Sequence, residues 1–353
     1  MKKLFFIYFL IFNLTSCSQK ADRSFENFTQ FTWEDLPDAK EINGEKLRLD
    51  GFLDPRGLLY KEGMLVVSET SNEFQIHIYK EDENFRLVNS KGYNGFGPGE
   101  LTNVRKMEDR GEPGKFWAYD LQQKSYYRFD LHDSSFLADK EYSRLEPFYY
   151  VADMTWASDS TVWANMVDHE DQYFELSIKG DTIATWGKWQ DYADRPGVPS
   201  SVFSSLHQGK KHVNLSKRIG VVAGSQRDYI EIVDLETHEM IQISGPENSY
   251  PEYTVDYSLG YPMPNVNRNN KAFYLDSYPG DNYIYLLYFG EPGRKLGELG
   301  YNSKLFIMSY QGIIEKVYQF KQPIISMAID EENDRMFGLS YEADPDVYLF
   351  NFK

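Results

Sequence analysis

One hairpin pattern recurs six times along this chain. An apolar strand is followed by a polar turn and a second strand rich in alternating aromatic residues. The pairs occupy 65–70 and 74–79, 116–120 and 126–130, 162–165 and 173–178, 219–223 and 229–233, 283–288 and 304–308, and 336–340 and 347–351. The first members start 51, 46, 57, 64 and 53 residues apart. Turn residues such as Asn43-Gly44, Gly111-Glu112-Pro113-Gly114 and Lys179-Gly180-Asp181 separate the runs, which is the punctuation of strands and hairpins. No stretch holds a 3.6-residue apolar period over three or more turns. A sheet of about four short strands cannot bury both of its faces alone, so units of this kind stack radially and cover one another. The spacing therefore predicts an all-β chain, a six-bladed β-propeller. A pair of sandwich domains is the other all-β solution, but six similar units with no break in composition favour one ring.

Strand counting predicts how the ring closes. The sixth unit reaches the end of the sequence at Lys353 after its third strand. Residues 40–50 precede the first unit and are free to supply the missing fourth, which would pin the two ends and cover an exposed edge.

The N-terminus reads as an export signal. Met1-Lys2-Lys3 is basic, residues 4–14 are apolar, and Leu14-Thr15-Ser16 leads to Cys17, the only cysteine. The run is too short to span a membrane, which takes about 20 residues. The ending resembles the lipobox of bacterial lipoproteins, in which the cysteine thiol carries a diacylglyceryl group. Residues 1–16 are then a signal peptide, 17–39 a lipidated tether and 40–353 the propeller. Palmitate-like acyl chains on Cys17 would hold the protein to a membrane without a spanning helix. Ser18 in place of an aspartate after the cysteine points to the outer membrane.

Charge narrows the partners. The chain carries 54 acidic and 37 basic residues, a net charge of −17, and loss of Lys2 and Lys3 with the signal takes it to −19. Nucleic acid is excluded as a partner, because phosphate binding needs clustered Lys and Arg. With one cysteine no internal disulfide and no thiolate metal site can form.

The stretch Gly95-Phe96-Gly97-Pro98-Gly99-Glu100 lies between the first and second units. It resembles a Gly-x-Gly-Pro-Gly-Glu signature of six-bladed, TolB-like and NHL-like propeller lipoproteins of Gram-negative bacteria. The resemblance spans roughly residues 40–353 and implies architecture and export, with no catalytic residues attached. As a phosphate cradle the stretch fails: Pro98 lacks an N–H, no Gly-Lys-[Ser/Thr] follows and no helix opens after it. It reads as a tight turn between blades that needs positive φ.

No catalytic constellation stands out. The six histidines, His77, His132, His169, His207, His212 and His238, show no close ligand pairing. His77 reads as a partly solvated sheet residue, and His207 and His212 as loop residues. His169 and Asp171 read as a solvated acidic turn. No nucleophile elbow or calcium loop is present. No metal or other cofactor is expected.

Two long links stand out instead, 189–203 and 245–264. In a propeller they fall on the same face. They carry Trp189, Tyr192, Arg195, Tyr250, Tyr253, Tyr257 and Tyr261, with Arg268 just beyond. Long links are usually functional, and prolines at 251, 262 and 264 stiffen the second. Two readings compete: a contact face for a protein, peptide or glycan, or aromatics that merely pack the loops onto the blade rims. The expectation is a non-enzymatic, lipid-anchored binding or scaffolding module of the cell envelope. The alternatives are a propeller hydrolase or lyase acting at the central channel and a soluble sugar-binding module. Arg195 and Arg268 are the expected fixed positive charges of the face.

Overall fold

The computed structural model describes residues 28–82, 84–142, 150–189, 198–258, 260–342 and 344–352. Cys17, Tyr192 and Arg195 lie outside them. Among the described residues six antiparallel sheets follow one another along the chain. Blade 1 comprises Pro55–Lys61, Met64–Glu69, Phe74–Lys80 and Arg86–Tyr93. Blade 2 comprises Val104–Glu108, Lys115–Asp120, Ser125–Asp130 and Lys140–Tyr142. Blade 3 comprises Val151–Trp156, Thr161–Met166, Asp171–Ser177 and Thr182–Lys188. Blade 4 comprises Gly209–Asn214, Ile219–Gly224, Tyr229–Asp234 and Met240–Ser244. Blade 5 comprises Lys271–Pro279, Ile284–Pro292, Lys304–Met308 and Ile314–Phe320. Blade 6 comprises Ile324–Asp330, Arg335–Ser340 and Val347–Asn351. The repeated hairpin read in the sequence is the second and third strand of each blade.

The core explains why those second strands are apolar throughout rather than on alternate residues. Each blade is covered on both faces, as in a fully buried sheet. Side chains of one strand therefore serve two interfaces in alternation. Val66 packs towards blade 2, while its neighbours Leu65 and Val67 pack towards blade 6. Among the described residues the buried clusters number six, and each straddles one pair of adjacent blades, including blade 6 with blade 1. An open row of six sheets would have five such interfaces. Six make a closed ring.

The N-terminal segment completes blade 6 and adds a fifth strand to blades 4 and 5. Glu45–Lys46 pairs antiparallel with Tyr348 and Leu349 as the fourth strand of blade 6, as strand counting predicted. Gly44, just before it, lies so close to Phe350 and Tyr348 that a Cβ would sit 2.7–2.8 Å from their atoms. Upstream, Lys40–Ile42 runs parallel to Tyr318–Phe320 on blade 5, and Thr29–Gln30 runs parallel to Ile243–Ser244 on blade 4. Among the described residues packing is therefore present upstream of residue 40, from Phe28 on. Phe28 is buried, and Phe31 and Leu36 lie against the blade 4–blade 5 core. These two parallel additions were not foreseen, because each is only two or three residues long and carries no alternation to read.

The Gly-x-Gly-Pro-Gly-Glu turn folds around its own glutamate. The Gly97 N–H donates to Glu100 Oε2 at 2.7 Å. A Cβ on Gly95 or Gly97 would collide with that carboxylate, and Gly99 alone of the three needs positive φ, at +76°. The motif is a turn between blades, held by a carboxylate that two glycines make room for.

Candidate functional site

The first strand of each blade borders the central channel. Each begins on the face where the links between blades run, so opening residues of the inner strands gather at one mouth of the channel, where blade 5 takes part further along its longer strand, through Asp276 and Ser277. In blades 1, 2, 3 and 6 the register slips at the second residue of that strand: Arg56, Arg105, Ala152 and Ile325. A bulge re-aims its side chain and is common beside functional sites. Blade 4 has no bulge there, and its second residue is Lys210.

Basic side chains of blades 2 and 4 gather at this mouth. The Lys106 ammonium crosses from blade 2 to donate to the Lys211 carbonyl of blade 4 at 2.7 Å and the Met154 carbonyl of blade 3 at 3.3 Å. It also lies 3.6 Å from Asp153. Lys211 turns towards blade 3. There it donates to Asn165 and to the Asp153 carbonyl at 3.4 Å, and its ammonium sits over the rings of Trp163 and Tyr173. Burial, which outweighs the attraction of Asp153, pushes Lys211 down to about 7. Lys210, one residue earlier, faces the blade 5 side. His212 lies 3.6 Å from Asp276 of blade 5, and the Asp276 carboxylate accepts from Ser326 Oγ at 2.8 Å and the Met327 N–H at 3.0 Å of blade 6. Burial alone would raise the two aspartates. The surrounding cations, Lys106, Lys211, Arg105 and His212 around Asp153, and His212 and Lys210 around Asp276, reverse that and keep both ionised. The result is a polar belt linking blades 2 to 6, with five basic groups to two acidic ones.

The two long links meet beside this mouth. The first contains a short helix, α1 (Ser200–Leu206), which buries Val202, Phe203 and Leu206 and leads directly into the inner strand of blade 4. Seven residues are too few to show a helical period. The second link carries a two-stranded ribbon, Tyr253–Asp256 with Met263–Val266. Helix and ribbon are fastened by Ser201 Oγ donating to the Pro262 carbonyl at 2.7 Å. The ribbon's root is clamped on Asp228. That side chain is fully buried, Gly245 admits it where any Cβ would clash, and it accepts from the Glu247 N–H at 2.9 Å. Burial pushes Asp228 up to about 7, against the pull of that N–H. The buried hydroxyls of Tyr274 and Tyr288 lie beside the same carboxyl, and the interaction with Tyr274 also opposes the rise.

The expected contact residues separate into two groups. Trp189 is 4% exposed and belongs to the core between blades 3 and 4. Tyr250 lies under the Arg227 guanidinium, 3.2 Å from ring centre to carbon, with its hydroxyl 3.3 Å from His207. For these two the rim-packing reading holds. Tyr253 is half-buried at the start of the ribbon. Tyr257 and Tyr261, at 65% and 38%, and Val255, at 37%, are open to solvent at the ribbon's turn and on its flank. Arg268 is exposed at the ribbon's base.

Three histidines differ from expectation. His77 is buried, held between Glu69 at 2.7 Å and Ser90 at 2.9 Å. His207 caps α1 from a buried position, its ring 2.9 Å from the Phe203 carbonyl. His212 belongs to an inner strand, not a loop. The basic mouth itself was missed because Gly209-Lys210-Lys211 reads as a loop. The signal was present. Arg105-Lys106 and Lys210-Lys211 are adjacent basic pairs in an acidic chain, and Lys106 and Lys211 stand 10 and 8 residues ahead of the apolar strands starting at 116 and 219. Among the described residues no group of three His, Cys, Asp or Glu side chains is placed to hold a metal ion.

Ring, closure and capped mouth together define a six-bladed β-propeller. No family model and no curated protein matches the chain. Solved structures do. A putative exported protein of Bacteroides fragilis is 12% identical with a TM-score of 0.53, over 92% of this chain and 98% of that one. A DUF4221 member from Bacteroides vulgatus is 11% identical with a TM-score of 0.54, over 89% and 97%. The WD40 repeats of RRP9 are 9% identical with a TM-score of 0.51, over 90% and 100%. At these identities the likeness is one of fold.

Proposed function

We propose that this chain is an exported lipoprotein of the TolB-like and NHL-like propeller type, anchored through Cys17 in the outer membrane. It serves there as a non-catalytic docking module for another envelope protein. The exported Bacteroides protein of the same fold supports the location, as do the basic, apolar and Leu-Thr-Ser-Cys segments of the N-terminus. The observation that carries the docking role is the ribbon. Two links from different blades cooperate to hold it, and it keeps Val255, Tyr257 and Tyr261 in solvent. Exposed tyrosines on a stiff support lose little entropy on contact and are typical anchors of interfaces. The chain's net charge of −17 suits a partner with basic residues at the rim of its contact.

The test is retention on a column. Immobilised mature protein should retain an envelope protein, and replacing residues 253–266 by a short Gly-Ser link should abolish retention. Equal recovery on both columns refutes the docking role. Radiolabelled palmitate should enter the wild-type chain and not Cys17→Ser. Labelling of neither, or of both, refutes the anchor.

A further inference from the structure

On the face opposite the links, the turns of blades 4 and 5 enclose a cleft of about 610 Å³, within the size range of small-molecule sites, about 300–1,000 Å³. Its walls are the turn before Ile219 in blade 4 and two turns of blade 5, one between its first and second strands and one between its third and fourth. These turns are fixed from behind. The buried Asn214 amide donates to the Gly280 carbonyl at 2.8 Å, and its oxygen accepts from the Lys217 N–H at 3.0 Å, which ties blade 4 to blade 5. The Tyr310 hydroxyl also donates to the Gly280 carbonyl. Glu331 of blade 6 accepts from the N–H groups of Asp281 at 2.6 Å and Asn282 at 3.1 Å. The side chains in front have no such duty. Asn282, Gln311 and Glu315 are exposed, line the cleft, and make no side-chain hydrogen bond or ion pair among the described residues. Tyr283 and Tyr310 are half-buried, and each packs against a core cluster while also lining the cleft.

We propose that this cleft binds a neutral oligosaccharide. The two tyrosine rings supply carbon surface for the C–H face of a pyranose. The Lys217 ammonium sits over the Tyr310 ring, 5.5 Å from its centre. The polar groups around the rings are of every kind. The carboxylates of Asp281 and Glu315 only accept, the Lys217 ammonium only donates, and the amides of Asn282 and Gln311 do both. A sugar hydroxyl donates and accepts at once, so a row of adjacent hydroxyls fits such a mixture. An anionic ligand would meet two carboxylates against one ammonium. A cationic one would leave the amide N–H groups and Lys217 without acceptors. The turns are already held by Asn214 and Glu331, so binding needs little ordering of the backbone. The cleft lies on the opposite face from residues 253–266, so this goes beyond the docking role and does not depend on it.

The test is an array of defined oligosaccharides, neutral (N-acetylated ones included), uronic-acid and sulfated, probed with labelled mature protein. Neutral members should bind and acidic ones should not. Titration calorimetry with the best-bound member should then give one site with Kd of about 1 mM or tighter. Asn282→Ala, Gln311→Ala and Glu315→Ala should each weaken binding about threefold to tenfold, the effect of losing one hydrogen bond, and the triple variant should abolish it. The three side chains are exposed and hold nothing else, so the melting temperature without sugar should stay at the wild-type value. Replacing residues 253–266 by a Gly-Ser link should leave the titration unaltered, so this site and the docking role fail separately. No binding anywhere on the array, binding confined to acidic members, or binding that the triple variant retains overturns the proposal.

Discussion

Arg335 holds Glu81 through two parallel hydrogen bonds, 2.5 and 2.8 Å, across 254 residues of sequence. Arg335 belongs to the second strand of blade 6, and Glu81 follows the third strand of blade 1. The pair therefore lies on the seam where the ring closes. The same guanidinium donates to the Tyr60 hydroxyl at 2.9 Å and to Asp330 at 2.6 Å, and Tyr60 stacks on Phe337. The chain ends themselves meet one step away, where Glu45–Lys46 pairs with Tyr348 and Leu349 inside blade 6.

Removing the guanidinium should open that seam. Both groups are largely shielded, at 14% and 26% exposure, so breaking the pair leaves a carboxylate poorly solvated. Some screening by solvent reduces the cost. Arg335→Met should lower stability by about 2 kcal/mol, read by denaturant unfolding. The hydrogen bond from Arg335, more than the one from Tyr60, holds Glu81 below the usual carboxylate range against burial. That stabilisation is present above the ordinary Glu value and is lost as pH falls below it. The acid limb of the stability profile should therefore be shallower in Arg335→Met than in wild type.

Asp228 should impose a slope of the opposite sign. Its carboxyl is pushed up to about 7 by burial, so between about 4 and 7 the folded protein binds the proton that the unfolded chain has released. Stability should fall as pH rises through that window and level off above it. Asp228→Asn should flatten this part of the profile and stabilise the protein at pH 8 by roughly 2–4 kcal/mol, an upper range set by a shift of about three pH units. Urea unfolding at pH 5 and pH 8 checks it. Equal slopes in wild type and variant would contradict the account of the ribbon's root.

Gly44→Val should weaken the closing strand. The new side chain would meet Phe350 and Tyr348 at under 3 Å, against a rigid ring and a Cβ. Overpacking of this kind costs about 1–3 kcal/mol. Amide exchange should quicken at Glu45, Leu47 and Leu349, and protection in blade 3, across the ring, should hold. Uniform loss of protection would show that closure is not local to this strand.

The two fates of the aromatic residues give a further contrast. Trp189→Ala removes a core side chain between blades 3 and 4 and should cost about 3–5 kcal/mol. Tyr257→Ala removes an exposed one and should change stability by less than about 0.5 kcal/mol. Partner retention should respond in the reverse manner: lost with Tyr257→Ala, and kept by whatever fraction of Trp189→Ala remains folded.

The blades were legible because each second strand is buried on both faces, so its apolar run stands out every 50 residues or so. Closure followed from a missing strand in the sixth unit. What escaped notice was short or ambiguous. Thr29–Gln30 and Lys40–Ile42 are held by backbone pairing to existing edges, which leaves no side-chain pattern. Helix α1 is two turns long. Trp189 and Tyr257 are both aromatic residues in long links, and only packing tells the buried one from the exposed one. Lys210 and Lys211 look like a solvated turn because an inner strand bordering a polar channel lacks the apolar signature of the strands behind it.

The docking role is tested most directly by placing a photo-crosslinking amino acid at Tyr257 or Tyr261 in the living cell, with Glu332, between the first two strands of blade 6 on the opposite face, as control. The account predicts a discrete crosslinked species of higher mass from Tyr257 and Tyr261 and none from Glu332. Crosslinks of equal yield at all three positions, or none at any of them, would contradict it.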